Sequence, residues 1–374
     1  MQKEKLVPAI RFSGYHTEWN LKTLEQIAKI TFGQSPLSIY YSDKKTDHIL
    51  VQGNADVKNR WVYPRIYTSQ ITKTAFVGDI IFSVRAPVGS VAKTNYDIVI
   101  GRGVAAIKGD NFIYFNLLWK EISRFWESKS SGSTFDSITS LELAQSEITI
   151  PSDLSEQQKI GQLFSNLDSL IGSQVLKLEK LQTIKQSLLN NMFASYGQKI
   201  PEIRFKGFEK KWEKKLIGDI ILSIPYKKYI NVPSIGGIFP VIQQGNDPIS
   251  GFANGSPFMN YKNVMIFGDH TLSIYKSNSP FFLASDGVRI LQSRNNVPLE
   301  FLYRIVEKYL PMSHGYTRHY SILKRQEITM PLCRDEQQKI GQFFSSLDSL
   351  IHSQEQKLEK LNKIKQALLE KMFC

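Results

Sequence analysis

With 374 residues, the chain is long enough for two domains with separate cores. Its 42% hydrophobic and 22% charged residues are those of an ordinary globular protein, and no apolar run approaches ~18 residues, so a membrane-spanning helix is not expected. The start MQKEKLVPAIRF lacks a secretory apolar core, and the two cysteines, Cys333 and Cys374, fit no metal or disulfide spacing; a reducing cytoplasm is expected. A net charge of +13 suits a polyanionic partner such as nucleic acid, although basic proteins are common in general.

The first element is PAIRFSGYHTEW at 8–19, and it returns at 201–212 as PEIRFKGFEKKW. Each of two units thus opens on P-x-I-R-F-x-G, an aromatic residue and a tryptophan. Beyond the first opening, Leu50-Val51-Gln52-Gly53-Asn54 ends a β-branched run, and FVGDIIFSVRAPVGSVA at 76–92 reads as strand, Gly-Asp turn and strand. Residues 113–129 are apolar at i, i+3 and i+4, which predicts a helix. A polar loop, 129–135, follows it.

Next comes EQQKIGQLFSNLDSLIGSQVLKLEKLQTIKQSLLNNMF at 156–193. The same element closes the chain at 336–373, with 28 of 38 positions identical. Ile160, Phe164, Leu167, Ile171, Leu178, Leu181 and Leu188 form a 4-3 seam, and the second copy repeats it at Ile340, Phe344, Leu347, Ile351, Leu358, Leu361 and Leu368. A seam of this length predicts a coiled coil. Gln174 and Lys185, with Gln354 and Lys365, interrupt both copies in the same phase, so the two helices are expected to pair with each other. Ser155 or Asp335 is expected to cap the first turn, and 38 residues span roughly 57 Å at ~1.5 Å each. Leu163, Leu170, Ile184 and Leu189, with Leu350 and Leu369, widen the stripe beyond two helices. Because letters as well as pattern are repeated, these residues are expected to meet two copies of one partner.

The second middle segment mirrors the first in plan and not in letters. Val241-Ile242-Gln243-Gln244-Gly245-Asn246 matches 50–54, residues 261–276 read as strand, Gly-Asp turn and strand, and 298–310 read as a helix followed by the polar loop 313–320. The charge is +3 over 1–155, +1 over 156–194, +8 over 195–335 and +1 over 336–374, so the excess lies in these middles. Glutamine and asparagine can grip adenine, while small hydroxyls, arginine and aromatics suit base edges and phosphate. The candidates for DNA contact are therefore Gln52, Asn54, Ser133, Thr134 and Phe135, then Gln243, Gln244, Asn246, Tyr316, Arg318 and His319. Arg60, Trp61, Lys73 and Arg85, then Tyr226, Lys227 and Lys228, join them, each also readable as a solvated surface residue.

There is no P-loop, no H-E-x-x-H, no dinucleotide fingerprint and no His/Cys zinc spacing, so no catalytic residue and no metal ligand are assigned. The order P-x-I-R-F-x-G, Gly-Asp strands, G-S-T-F-D-S-I (132–138) or G-Y-T-R-H-Y (315–320), then E-Q-Q-K-I-G and a long helix resembles, over essentially the whole chain, the specificity subunit of type I restriction–modification systems. The resemblance implies an α+β chain with two target recognition domains, 1–152 and 197–332, and two spacer helices, 153–196 and 333–374. These helices would pair antiparallel with pseudo-twofold symmetry and fix the gap in a bipartite double-stranded DNA site. It further implies two docked modification (methyltransferase) subunits and restriction subunits, with S-adenosylmethionine, ATP and Mg on those partners and no cofactor on this chain. The unlike second loop, G-Y-T-R-H-Y, implies that the two domains read unrelated half-sites. Two other readings stay open: a coiled-coil scaffold joining two binding modules, and the specificity module of a methyltransferase–nuclease.

Overall fold

A computed structural model describes residues 6–128, 137–195, 197–313, 315 and 317–374. The chain divides into two compact units, Met1–Gln174 with Lys357–Cys374 (unit 1) and Val175–Gln356 (unit 2). The first long helix, Leu154–Asn191, begins in unit 1 and ends in unit 2; the second, Arg334–Met372, begins in unit 2 and ends in unit 1. Neither Ser155 nor Asp335 is the cap. Asp153 Oδ1 accepts the Ser155 N–H at 2.8 Å, Ser155 lies inside the first turn, and its hydroxyl meets Tyr15 Oη at 2.9 Å. Asp335 lies inside the first turn of the second helix, where the Gln337 N–H donates to the Cys333 carbonyl.

In unit 1, Asn20–Thr23 pairs antiparallel with Glu147–Ile150 and ties the ends of the middle segment together. A six-stranded sheet runs in the order Lys29–Phe32, Val104–Lys108, Ile80–Ser83, Val91–Lys93, Trp61–Val62, Val57–Lys58. Its central strands Ile80–Ser83 and Val104–Lys108 are apolar on both faces because both are covered. Ile80, Phe82, Ala105 and Ile107 face the core that holds the helix Asn111–Ile122, while Ile81, Ala92, Val104 and Ala106 face a second, five-stranded sheet. Side chains alternate across a strand, so one run of letters serves both cores. Unit 2 uses the same device with fewer strands. Met265, Phe267 and Leu291 pack toward the helix Leu299–Lys308, and Val264, Ile266, Val288 and Ile290 pack on the other face.

The long helices run antiparallel. In unit 1 Lys365 meets Asp168 at 2.5 Å and Phe164 packs on Phe373 at 5.7 Å; in unit 2 Lys185 meets Asp348 at 2.8 Å and Phe193 packs on Phe344 at 6.1 Å. From Asp168 to Lys185 one helix advances 17 residues while the other falls back 17, from Lys365 to Asp348. The lysines that interrupt both apolar seams are thus cross-helix partners of aspartates, and each aspartate is the repeat-mate of the other. Register is set by charge as well as by apolar packing.

Each opening motif holds two helix ends. Arg11 donates two hydrogen bonds to Glu156, at 2.6 and 2.8 Å, and Arg204 does the same to Glu336, at 2.7 and 2.9 Å. One residue earlier, the Ile10 N–H donates to the Lys371 carbonyl at 2.8 Å and the Ile203 N–H to the Asn191 carbonyl at 2.9 Å. The motif therefore grips the first turn of one long helix and the last turn of the other. A Cβ at Gly161 would come within 2.9 Å of Phe112 N, and one at Gly341 within 2.7 Å of Phe301 N, so the start of each domain helix rests on that glycine. Gln157 and Gln337 donate to the Pro151 and Pro331 carbonyls at 3.0 and 2.7 Å.

Much of E-Q-Q-K-I-G is thus explained by contacts within the chain, which narrows the expectation that the shared letters mark a partner surface. Leu189 and Leu369, expected to face a partner, are 4% and 1% exposed and belong to the cores of unit 2 and unit 1. Leu163 packs partly buried on the unit 1 core, while Leu170, Ile184 and Leu350 are exposed.

Removing one member of a buried ion pair strands the other, at a cost of about 3–5 kcal/mol. Arg204→Met should therefore raise hydrogen exchange across 334–344 by orders of magnitude, and unchanged protection there would contradict the clamp. Gly341→Ala should destabilise unit 2 although alanine is the better helix former, whereas Gly172→Ala, with nothing within 4 Å, should stabilise its helix by up to ~1 kcal/mol. Equal effects of the two substitutions on thermal unfolding would remove the packing role of Gly341.

Candidate nucleic-acid interface

In unit 1 the strand His48–Val51 runs parallel to Ile98–Ile100, so both deliver their following loops, Gln52 to Asn54 and Gly101 to Gly103, to one edge. The Val84 N–H donates to the Gly103 carbonyl at 3.0 Å and brings in Arg85; the Ile138 N–H donates to the Val84 carbonyl at 3.0 Å and brings in Ser137. Lys73 lies opposite Ile100 on the antiparallel neighbour. A Cβ at Gly103 would stand 1.9 Å from the Gln52 carbonyl, so only glycine lets these loops close on each other. The result is an open cleft of about 660 Å3 whose lining includes Tyr41, Gln52, Asn54, Ser83, Arg85 and Arg102. Arg85 and Arg102 are exposed, giving the cleft two guanidinium groups.

Unit 2 repeats three backbone bonds of this frame, with one more residue between Ala284 and Gly287 than between Gly101 and Gly103. Val241 and Ile242 run parallel to Phe282 and Leu283, and the Ala284 N–H donates to the Ile242 carbonyl at 2.8 Å, as Gly101 does to Val51. The Asp269 N–H donates to the Gly287 carbonyl and the His319 N–H to the Asp269 carbonyl, both at 2.8 Å. Val84 thus corresponds to Asp269, Gly103 to Gly287 and Ile138 to His319. The residues at the mouth do not correspond in kind: Arg85 stands where unit 2 has His270, Arg102 where it has Asp286, and Ser137 where it has Arg318.

Around Gln244 the mouth of unit 2 is tightly made. Gln244 Oε1 accepts the His270 N–H at 3.1 Å, His270 Nδ1 lies 3.0 Å from the Thr317 carbonyl, and the Gly245 N–H donates to Ser273 Oγ at 3.0 Å. Arg318 Nη2 donates to Asp286 Oδ2 at 2.7 Å, and this hydrogen bond and charge hold the Asp286 carboxyl below the usual carboxylate range. Tyr226 Oη donates to the Asp286 carbonyl at 3.1 Å, which sets the turn Lys227–Tyr229 beside it.

Of the candidates from sequence, Gln52, Asn54, Lys73 and Arg85 gather at the unit 1 edge, and Lys227, Gln244 and Arg318 gather at the mouth of unit 2. Asn246 and Lys228 are exposed close by in sequence, and Gln243 Nε2 is engaged by the Asp247 carbonyl of its own turn. Asn54 Oδ1 accepts from Ser90 Oγ at 3.0 Å. Ser133, Thr134, Phe135 and Tyr316 lie outside the described residues.

One assignment is corrected. His319 is 0% exposed, with Nδ1 3.0 Å from the Asp269 carbonyl and Nε2 3.2 Å from Thr317 Oγ1, so it belongs to the frame and not to the exposed mouth. Arg60, with a side chain 40% exposed, donates to Glu121 at 2.5 Å and to the Val91 carbonyl at 3.2 Å. Sequence reasoning missed Arg102 and Asp286. Both stand before a glycine that opens a strand, in G-R-G and S-D-G, a turn signal that does not by itself reveal a shared station. It also missed a buttress beneath each domain, where Lys93 lies 4.5 Å over the Tyr114 ring and Lys276 4.9 Å over that of Tyr303. Burial lowers the Lys93 ammonium from its ordinary range.

Among the described residues no group of acids, histidines or cysteines could hold a metal ion, and no helix is long and apolar enough to cross a membrane. The family model described as the type I restriction modification DNA specificity domain matches residues 16–186 and 209–363. Similar curated proteins include a putative type I restriction enzyme MjaX specificity subunit of Methanocaldococcus jannaschii, 33% identical over 180 residues, 46% of this chain and 42% of that one. The type I restriction enzyme MjaIX specificity subunit of the same organism is 27% identical over 235 residues, 54% of this chain and 52% of that one. The chain thus matches about half the length of these curated relatives. In fold it is similar to the crystal structure of a type I restriction-modification system S subunit from M. genitalium, with a TM-score of 0.70 at 17% identity over 98% of this chain and 99% of that one. Two matches of the family model, covering most of the sequence, settle the assignment: the chain belongs to the type I restriction modification DNA specificity domain family.

Proposed function

We propose that this chain is the sequence-reading, non-catalytic subunit of a type I restriction–modification complex, in which each unit reads one half of a bipartite DNA site. The observation that carries the reading is one backbone frame built twice with different side chains at its mouth. A frame that returns in its backbone bonds suits one ligand shape, the duplex, and mouths that differ suit two base sequences. The basic excess in both middles supplies phosphate contacts.

The antiparallel helices serve as the ruler between half-sites and as the seat of two modification subunits. Leu170 and Ile364 in unit 1, with their repeat-mates Leu350 and Ile184 in unit 2, are exposed apolar positions and leave one equivalent pair per unit for such a subunit. S-adenosylmethionine, ATP and Mg belong on the modification and restriction subunits, and the complex works in the cytoplasm, where Cys333 and Cys374 stay free thiols.

Two outcomes are expected. The full chain should bind duplex DNA with log K falling steeply and linearly against log salt. Weak binding with no salt dependence would favour a scaffold. A heptad added to both helices, one between Asp168 and Lys185 and one between Asp348 and Lys365, leaves each ion pair its partner and should lengthen only the unspecified gap of the recognised site. An unchanged gap with both half-sites intact would end the ruler role.

A further inference from the structure

The frame shared by the two units singles out one position where they carry opposite charges. The residue before Gly103 is Arg102 and the residue before Gly287 is Asp286, and both are exposed. Among the described residues, the unit 1 cleft around this position contains Arg85 and Arg102 and no carboxylate. In unit 2 the cation, Arg318, comes from the neighbouring loop and is bound through Nη2 to Asp286 at 2.7 Å.

A carboxylate at a surface meant for phosphate repels its ligand, so its presence needs a reason. Fold stability does not supply one. The two side chains are 51% and 56% exposed, and ion pairs of that exposure contribute little to stability. What the pair does do is draw the Arg318 guanidinium to one side of the mouth, through a single bond from Nη2. Arginine distinguishes guanine by two parallel hydrogen bonds to O6 and N7, and that discrimination depends on the orientation of the fork. The Asp286 backbone is itself held by Tyr226, whose ring lies against the Arg289 guanidinium at 5.7 Å, and Arg289 in turn bonds the buried Asp269 at 2.7 Å. The carboxylate therefore stands on a fixed base.

We infer that Asp286 is a positioning residue that holds Arg318 for guanine, and so makes a G·C pair obligatory at one point of the half-site read by unit 2. This rests on the DNA-reading assignment above, and the experiment separates the two. The full-length chain, with Asp286→Ala, Asp286→Asn and Arg318→Ala versions, selects from a randomised duplex pool, and binding to unselected duplex is followed against salt.

With Asp286→Ala, discrimination at one G·C position should fall about tenfold, while every other position keeps its preference. The same substitution should raise affinity for unselected DNA and steepen the log–log salt slope by about 1, because a negative charge has left the interface. Asp286→Asn, which keeps an acceptor for the guanidinium, should retain part of the discrimination. A residue that merely supported the loop would lower affinity for all sequences together. If Arg318→Ala relaxes one position and Asp286→Ala relaxes none, the positioning role is overturned and DNA reading by unit 2 stands. If neither substitution changes selection or salt slope, both are overturned.

Discussion

The buried carboxylate at the start of each long helix is the constraint on which the rest of this molecule depends. Glu156 and Glu336 have side chains 0% and 2% exposed, and a carboxylate so placed is tolerable only when a cation meets it with good geometry. Arg11 and Arg204 meet it with two hydrogen bonds each, and the residue before each arginine also binds a carbonyl at the far end of the other helix. Neither unit is completed by a continuous half of the chain. Each needs the start of one long helix and the end of the other, brought together by a P-x-I-R-F segment.

Once those helix ends are held, the recognition segments can diverge. The helix under each sheet is seated on a glycine of the long helix, and what surrounds it varies. By that seating Phe112 corresponds to Phe301, and three residues on Phe115 corresponds to Arg304. In unit 1 Phe115 packs on Phe164 at 5.1 Å. In unit 2 Arg304 is wholly buried and bonds Glu307 at 2.5 Å and also Asp348, while Lys185 bridges the same two carboxylates. An aromatic contact in one unit and a charge network in the other serve the same seam. The same tolerance reaches the mouth, where Arg102 and Asp286 share one place in the frame.

The repeat, the helical seam and the α+β middles were legible because each leaves a periodic or literal trace. The seam at Ile160, Phe164, Leu167 and Ile171 is a 4-3 pattern that any partner would require. The purpose of the shared letters was not legible. Glu156 and Arg11 lie 145 residues apart, and nothing local marks a surface-type residue as the buried half of a pair. Leu189 and Leu369 look like the outer edge of a stripe, whereas each lies in the core of its unit. At the site, Gln52 and Gln244 were found because Q-G-N is repeated, whereas Arg102 and Asp286 differ in charge and share only a following glycine. His319 misled because a histidine between arginine and tyrosine in a polar loop reads as exposed, while the bond from its N–H to the Asp269 carbonyl turns it inward.

The proposed function requires the two unlike mouths to read two unrelated half-sites across a gap of constant length. Mapping methylated adenines in cells that express this chain together with its modification subunit tests that claim in one step. A split motif should emerge, two short and dissimilar specific halves around a constant run of unspecified bases. A single uninterrupted motif, or two identical halves, would contradict it.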